Sequence, residues 1–89
     1  MRKIFSSNEA VSLLSTHVLI SKTQGQNPLF YMLSTDGNII VTNETRKYYI
    51  TVDEFKYNFY EADYFVYKSL KELAENDVEI DQEFRKLRQ

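Results

Sequence analysis

Cysteine is absent from this chain of 89 residues, so neither a disulfide nor a thiolate metal site can form. Glycine occurs twice and proline once, which leaves little of the chain for structureless linker. The single histidine, His17, cannot by itself build the usual zinc site, and no nucleophile stands in a context that it would activate. Gly25 and Gly37 are isolated, so no phosphate-cradling loop exists, and the nucleotide-hydrolysing and dinucleotide-binding classes are excluded. The tightest carboxylate groups also have plain explanations. Asp53 and Glu54 suit the first turn of a helix, and Glu61 and Asp63 fall in a turn. No apolar run follows the charged start Met1-Arg2-Lys3, and none approaches the roughly 20 residues of a membrane span. These absences point to a non-enzymatic, soluble, cytoplasmic protein without cofactor or metal.

Net charge is −2. Holding a phosphate backbone requires a concentrated basic surface, whereas here the cations are scattered. Their one cluster, Arg85, Lys86 and Arg88, suits a helix C-terminus. Nucleic-acid binding is therefore not expected.

Apolar residues make up 43% of the chain, enough for one small globular domain spanning residues 1–89. Ser6-Ser7-Asn8-Glu9 reads as a capping box with Phe5 and Ala10 as its staple, and it predicts a helix over residues 7–15. Strands are expected over residues 17–22, 29–34, 38–42 and 47–50. Asp36-Gly37 forms the hairpin turn between the second and third, where a type I′ turn needs two positive φ angles. A second capping box, Thr51-Val52-Asp53-Glu54, starts a helix at Val52 that ends near Glu61, and a last strand covers residues 64–67. Ser69-Leu70-Lys71-Glu72 is a third box, opening a C-terminal helix over residues 69–88. The fold class is α+β: a small antiparallel sheet of four to five strands, covered on one face, with three helices.

Two features stand out. Nine of the twenty residues from Tyr48 to Tyr67 are aromatic, more rings than one small core needs, and some should reach the surface as a binding or assembly face. Arg46, Tyr48, Asp63 and Tyr64 are the candidate ligand residues, because a ring beside a guanidinium can stack on a base and hold a phosphate. Tyrosines at a sheet edge or between subunits are the alternative. On the C-terminal helix, Leu73, Ile80, Phe84 and Leu87 continue a heptad seam from Leu70. That seam either packs on its own sheet or joins a second copy as a homo-oligomer interface. Glu72, Glu75, Glu79 and Glu83 form an acidic stripe, read as a solvated face with Lys71–Glu75 and Asp81–Arg85 as ion pairs.

The order of elements also resembles a known family. Asn8-Glu9-Ala10-Val11-Ser12-Leu13-Leu14 leads into Val18-Leu19-Ile20 and a hairpin; then come Tyr49-Ile50-Thr51-Val52-Asp53-Glu54-Phe55 and Ala62-Asp63-Tyr64-Phe65-Val66-Tyr67. This pattern, over roughly residues 6–67, is similar to the small phage-borne domains of the second type of Thoeris anti-defence protein. Asp63-Tyr64 stands where that family usually has Asp-Trp, and Thr16-His17 where it usually has a glycine before the first strand. The resemblance implies a homo-oligomer that sequesters a nucleotide-like signal of a bacterial immune system without chemistry; Arg46, Tyr48, Asp63 and Tyr64 are then expected in pockets between subunits. The expected function is that of a phage or mobile-element accessory protein inhibiting a host defence system. The alternative is an inhibitor that binds a host protein directly through its aromatic surface or acidic helix.

Overall fold

A computed structural model of the chain describes residues 1–77 together with Glu79, Gln82, Glu83 and Arg85. The order of elements is β1 (Arg2–Ile4), α1 (Ser7–Leu13), β2 (His17–Lys22), β3 (Leu29–Leu33), β4 (Ile39–Thr42), β5 (Lys47–Ile50), α2 (Val52–Tyr57), a 3₁₀ turn (Phe59–Glu61), β6 (Asp63–Ser69) and α3 (Leu70–Glu75). All neighbouring strands are antiparallel, and six of them form one open sheet in the order β1-β6-β2-β3-β4-β5. The fold is the expected α+β class with one more strand. That strand is β1, which pairs Arg2, Lys3 and Ile4 with Val66, Phe65 and Tyr64.

Alternation along the strands separates two faces. One carries the larger core: Ile4, Leu19, Tyr31, Ile39, Val41 and Tyr64 from the sheet meet Ala10 and Leu14 from the first helical segment and Phe55 and Phe59 from the second. The other face is covered as well, by a smaller core in which Val18, Ile20 and Phe30 meet Leu73 of α3. The sheet is thus packed on both sides rather than one.

Local chemistry sets the helix starts. The box at α2 is complete: the Glu54 amide donates to Thr51 Oγ1 at 3.0 Å and the Glu54 carboxylate accepts from the Thr51 amide at 3.4 Å. At α1 only half forms. Ser6 Oγ accepts from the Glu9 amide, but the Glu9 carboxylate turns to Arg2 on the neighbouring strand β1. Phe5 does not staple the helix; it is 72% exposed beneath the Lys3 ammonium. Ser69 caps α3 by accepting from the Glu72 amide at 3.0 Å.

The hairpin between β3 and β4 is wider than a two-residue turn. Ser34 donates its amide to the Asn38 carbonyl at 2.8 Å, and Gly37 donates to the Ser34 carbonyl at 3.2 Å. Gly37 alone takes a positive φ, +89°, while Asp36 does not. A type I′ turn is therefore replaced by one in which Asp36 acts through its carboxylate, accepting from the Ser34 hydroxyl and from the Asn38 amide.

The C-terminal helix is not continuous. α3 ends at Glu75 with Asn76 as its cap, and Asp77 adopts φ +50°, a left-handed conformation that stops an α-helix. Leu73, the first of the four seam residues, is buried on the chain's own sheet, the first of the two alternatives for the seam. Ile80, Phe84 and Leu87 lie outside the described residues. Glu83 is not on a solvated face: it is 1% exposed, accepting from the Tyr67 hydroxyl and from Lys68 Nζ at 3.2 Å. The Lys71–Glu75 pair forms at 3.9 Å. Asp81 lies outside the described residues, and Arg85 pairs with Glu44 at 3.5 Å. Among the described residues no helix is long and apolar enough to cross a membrane.

Candidate functional site

The period of two along β5 decides which side chains can share a site. It places Tyr48 and Ile50 on the face that carries the larger core, with Arg46 in phase just ahead of the strand. Opposite them, Glu54 and Phe55 of α2 and its C-cap Asn58 follow one stripe at helical spacing, and Glu61 follows in the 3₁₀ turn. Between these walls lies a pocket of about 360 Å³, floored by Tyr31 and Tyr64 and rimmed by Gln26 of the β2–β3 loop.

Three of the four candidate ligand residues, Arg46, Tyr48 and Tyr64, line this one cavity within a single chain. The fourth does not. Asp63 immediately precedes Tyr64 on β6, so it projects from the other face, where it pairs with Lys3 at 3.0 Å.

The interior of the site is a packed set of rings. Tyr31 and Tyr64 meet edge to face at 5.4 Å, Phe55 touches both at 5.5 and 5.3 Å, and Phe59 stacks on Tyr64 at 4.6 Å. Such contacts fix the floor rigidly. The Ser21 hydroxyl donates to the Tyr31 hydroxyl at 3.2 Å, and among the described residues no buried side-chain polar atom lacks a partner. At the wall, the Arg46 guanidinium lies 5.1 Å from the centre of the Tyr48 ring. Among the described residues, no carboxylate lies within ion-pair distance of it.

Burial raises the pKa of both floor tyrosines. Nearby charges act on them differently. Hydrogen bonds with Ser21 and Tyr64 and, least, the Arg46 cation pull Tyr31 back down, whereas the Tyr31 hydroxyl and then the Glu61 carboxylate push Tyr64 further up. Both phenols therefore keep their protons where tyrosines of the unfolded chain, near pH ~10, lose theirs. Above that pH the unfolded state binds fewer protons than the folded one, so stability falls as pH rises; below it the contribution is complete. Urea midpoints measured on both sides of pH ~10 should show this decline. A midpoint that holds constant well above it would place both phenols in water.

Sequence reasoning missed Ser21, Tyr31, Asn58 and Glu61 as members of the site. A signal existed for two of them. Ser21 and Tyr31 are polar groups in otherwise apolar strands, and pairing of β2 with β3 brings them together. Asn58 and Glu61 carry no comparable mark, because α2 and the 3₁₀ turn bury Phe55 and Phe59 and present these polar residues by default.

His17 does not line the pocket; its Nδ1 lies 2.8 Å from Thr16 Oγ1. Among the described residues no group of three His, Asp or Glu side chains is placed to hold a metal. No family model, no curated protein and no solved structure matches the chain.

Proposed function

We propose that the chain is a non-enzymatic binding protein whose pocket takes a small planar molecule bearing an anionic group. The observation that carries this reading is the Arg46 guanidinium, held over the Tyr48 ring at the wall of a ring-floored cavity and left without a carboxylate partner among the described residues. A cation and a ring face so arranged suit a stacked heterocycle with a phosphate beside it. The volume, about 360 Å³, falls within the usual range for small-molecule sites. In the setting that the resemblance implies, a phage or mobile-element accessory protein would use such a pocket to sequester a nucleotide-like signal of a host defence system. It would act in the host cytoplasm and as a homo-oligomer.

The test is thermal shift and titration against a panel of cyclic nucleotides and ADP-ribose derivatives. Arg46→Ala should weaken any ligand found by about ten- to a hundredfold, because a hydrogen bond to a charged group contributes roughly 1.5–3 kcal/mol. No shift anywhere in the panel would remove the reading.

A second reading has its own observation. Tyr57 and Tyr60 are 89% and 80% exposed on α2 and the 3₁₀ turn, and exposed tyrosines suit a protein contact. The chain would then inhibit a host protein directly. Under this reading Tyr57→Ala with Tyr60→Ala abolishes inhibition of the host system and Arg46→Ala spares it; under the first reading the outcomes are reversed.

A further inference from the structure

The lining of the pocket is electrically lopsided, and this restricts what it can take. Among the described residues, one cation, Arg46, stands against two carboxylates, Glu54 and Glu61. The Glu54 carboxylate is engaged by its own helix, accepting from the Thr51 amide at 3.4 Å and from Thr51 Oγ1 at 3.1 Å. The Glu61 carboxylate has no hydrogen bond or ion pair to the described residues, so its acceptors are open to a ligand. The two free charges act on different parts of the floor. Arg46 lies over Tyr48 and is felt by Tyr31, whereas Glu61 is felt by Tyr64, and the Tyr31 and Tyr64 rings are 5.4 Å apart.

Resting on the binding function proposed above, we infer that the pocket selects an amphoteric ligand: a planar ring with a single anionic group for Arg46 and an edge of N–H donors for Glu61. A carboxylate offers only acceptors, so it rewards a ring edge that presents adjacent N–H groups and opposes one that presents carbonyls or lone pairs alone. The same carboxylate, together with Glu54, repels every negative charge beyond the one that Arg46 neutralises. Polyphosphates are therefore disfavoured, although they are the stronger ligands of ordinary basic sites. A guanine ring with one phosphodiester has the required parts, since its N1–H and N2–H donors are adjacent and its phosphate carries one charge.

Isothermal titration of the full chain decides this with three probes: 3′,5′-cyclic GMP, the inosine counterpart that lacks the amino group, and GDP, which adds charge. Cyclic GMP should bind at least about tenfold more tightly than either of the others, a difference of roughly 1.4 kcal/mol. Glu61→Gln, a change at an exposed position, should remove the preference over the inosine compound and narrow the gap to GDP. Binding that strengthens with phosphate number, or that ignores Glu61→Gln while still depending on Arg46, overturns the selectivity and leaves the binding function standing. Binding of ADP-ribose derivatives without binding of the three probes likewise overturns the selectivity alone. Failure of every compound removes both.

Discussion

Phe55→Ala is expected to lower the free energy of unfolding by about 3–5 kcal/mol, the usual cost of emptying a large aromatic site in a core. The ring is 2% exposed and lies against Tyr31, Tyr64 and Phe59 at 5.5, 5.3 and 5.9 Å. It is also the one buried residue of α2. A helix of six residues has no stability of its own in water, so α2 stays on the sheet through this ring and the start fixed by Thr51 and Glu54. Removing it leaves a void among three other rings that cannot collapse without moving the pocket floor. Small domains have only about 5–15 kcal/mol in total, so the variant should show a much lower urea midpoint and lose any ligand that the pocket binds. Tyr57→Ala is the control. That ring lies on the same helix but is 89% exposed, and its loss should change stability by less than about 0.5 kcal/mol. If the two variants unfold together, the packing role assigned to Phe55 is wrong.

The same contrast shows what the sequence makes legible. Elements specified by neighbours along the chain can be read directly. Thr51 and Glu54 announce the start of α2 through a reciprocal pair of hydrogen bonds, and β2 and β5 are bounded by a helix end, loops and a cap that are visible in composition. Elements specified from afar cannot. Arg2-Lys3-Ile4 has no strand pattern of its own, and it is extended because Tyr64, Phe65 and Val66 present a free ladder about sixty residues later. That missed strand also explains why Glu9 abandons its expected cap for Arg2. The seven-residue step from Leu73 to Ile80 hides a break, because heptad spacing is blind to the backbone between its marked positions, where Asp77 takes φ +50°.

The candidate site follows the same rule. Arg46, just ahead of β5, is in phase with Tyr48 on that strand, so their convergence is local and legible. Tyr64 joins them because β6 runs beside β2, and its alternation carries Asp63 to the opposite face. Adjacent residues on a strand never share a pocket, and grouping Asp63 with Tyr64 breaks that constraint. The excess of rings divides as a small core demands: Phe55, Phe59 and Tyr64 go inside, while Tyr49, Tyr57 and Tyr60 stay out.

Glu83→Ala should be the most disruptive change in the C-terminal segment, with a cost of about 2–3 kcal/mol. Its carboxylate is 1% exposed and holds the Tyr67 hydroxyl and the Lys68 ammonium. Truncation leaves a half-buried phenol and a cation without their acceptor, and the loss is limited because the Lys68 side chain, 32% exposed, can turn to water. Beneath this contact Val18, Ile20 and Phe30 are shielded completely, so loosening the segment should raise binding of a hydrophobic dye before global unfolding. Glu83→Gln keeps the shape and one acceptor and should cost less. A titration separates loss of this contact from general damage. The Tyr67 phenol is raised by burial first and by Glu83 next, through their hydrogen bond and its charge. Removing the carboxylate should therefore let Tyr67 ionise at lower pH, seen in the ring-carbon NMR shift of Tyr67 itself, whereas Phe55→Ala should leave that one resonance's titration unchanged while the protein remains folded. A Glu83→Ala variant with unchanged urea midpoint and unchanged Tyr67 titration would show that the segment is held by Leu73 and its apolar neighbours alone.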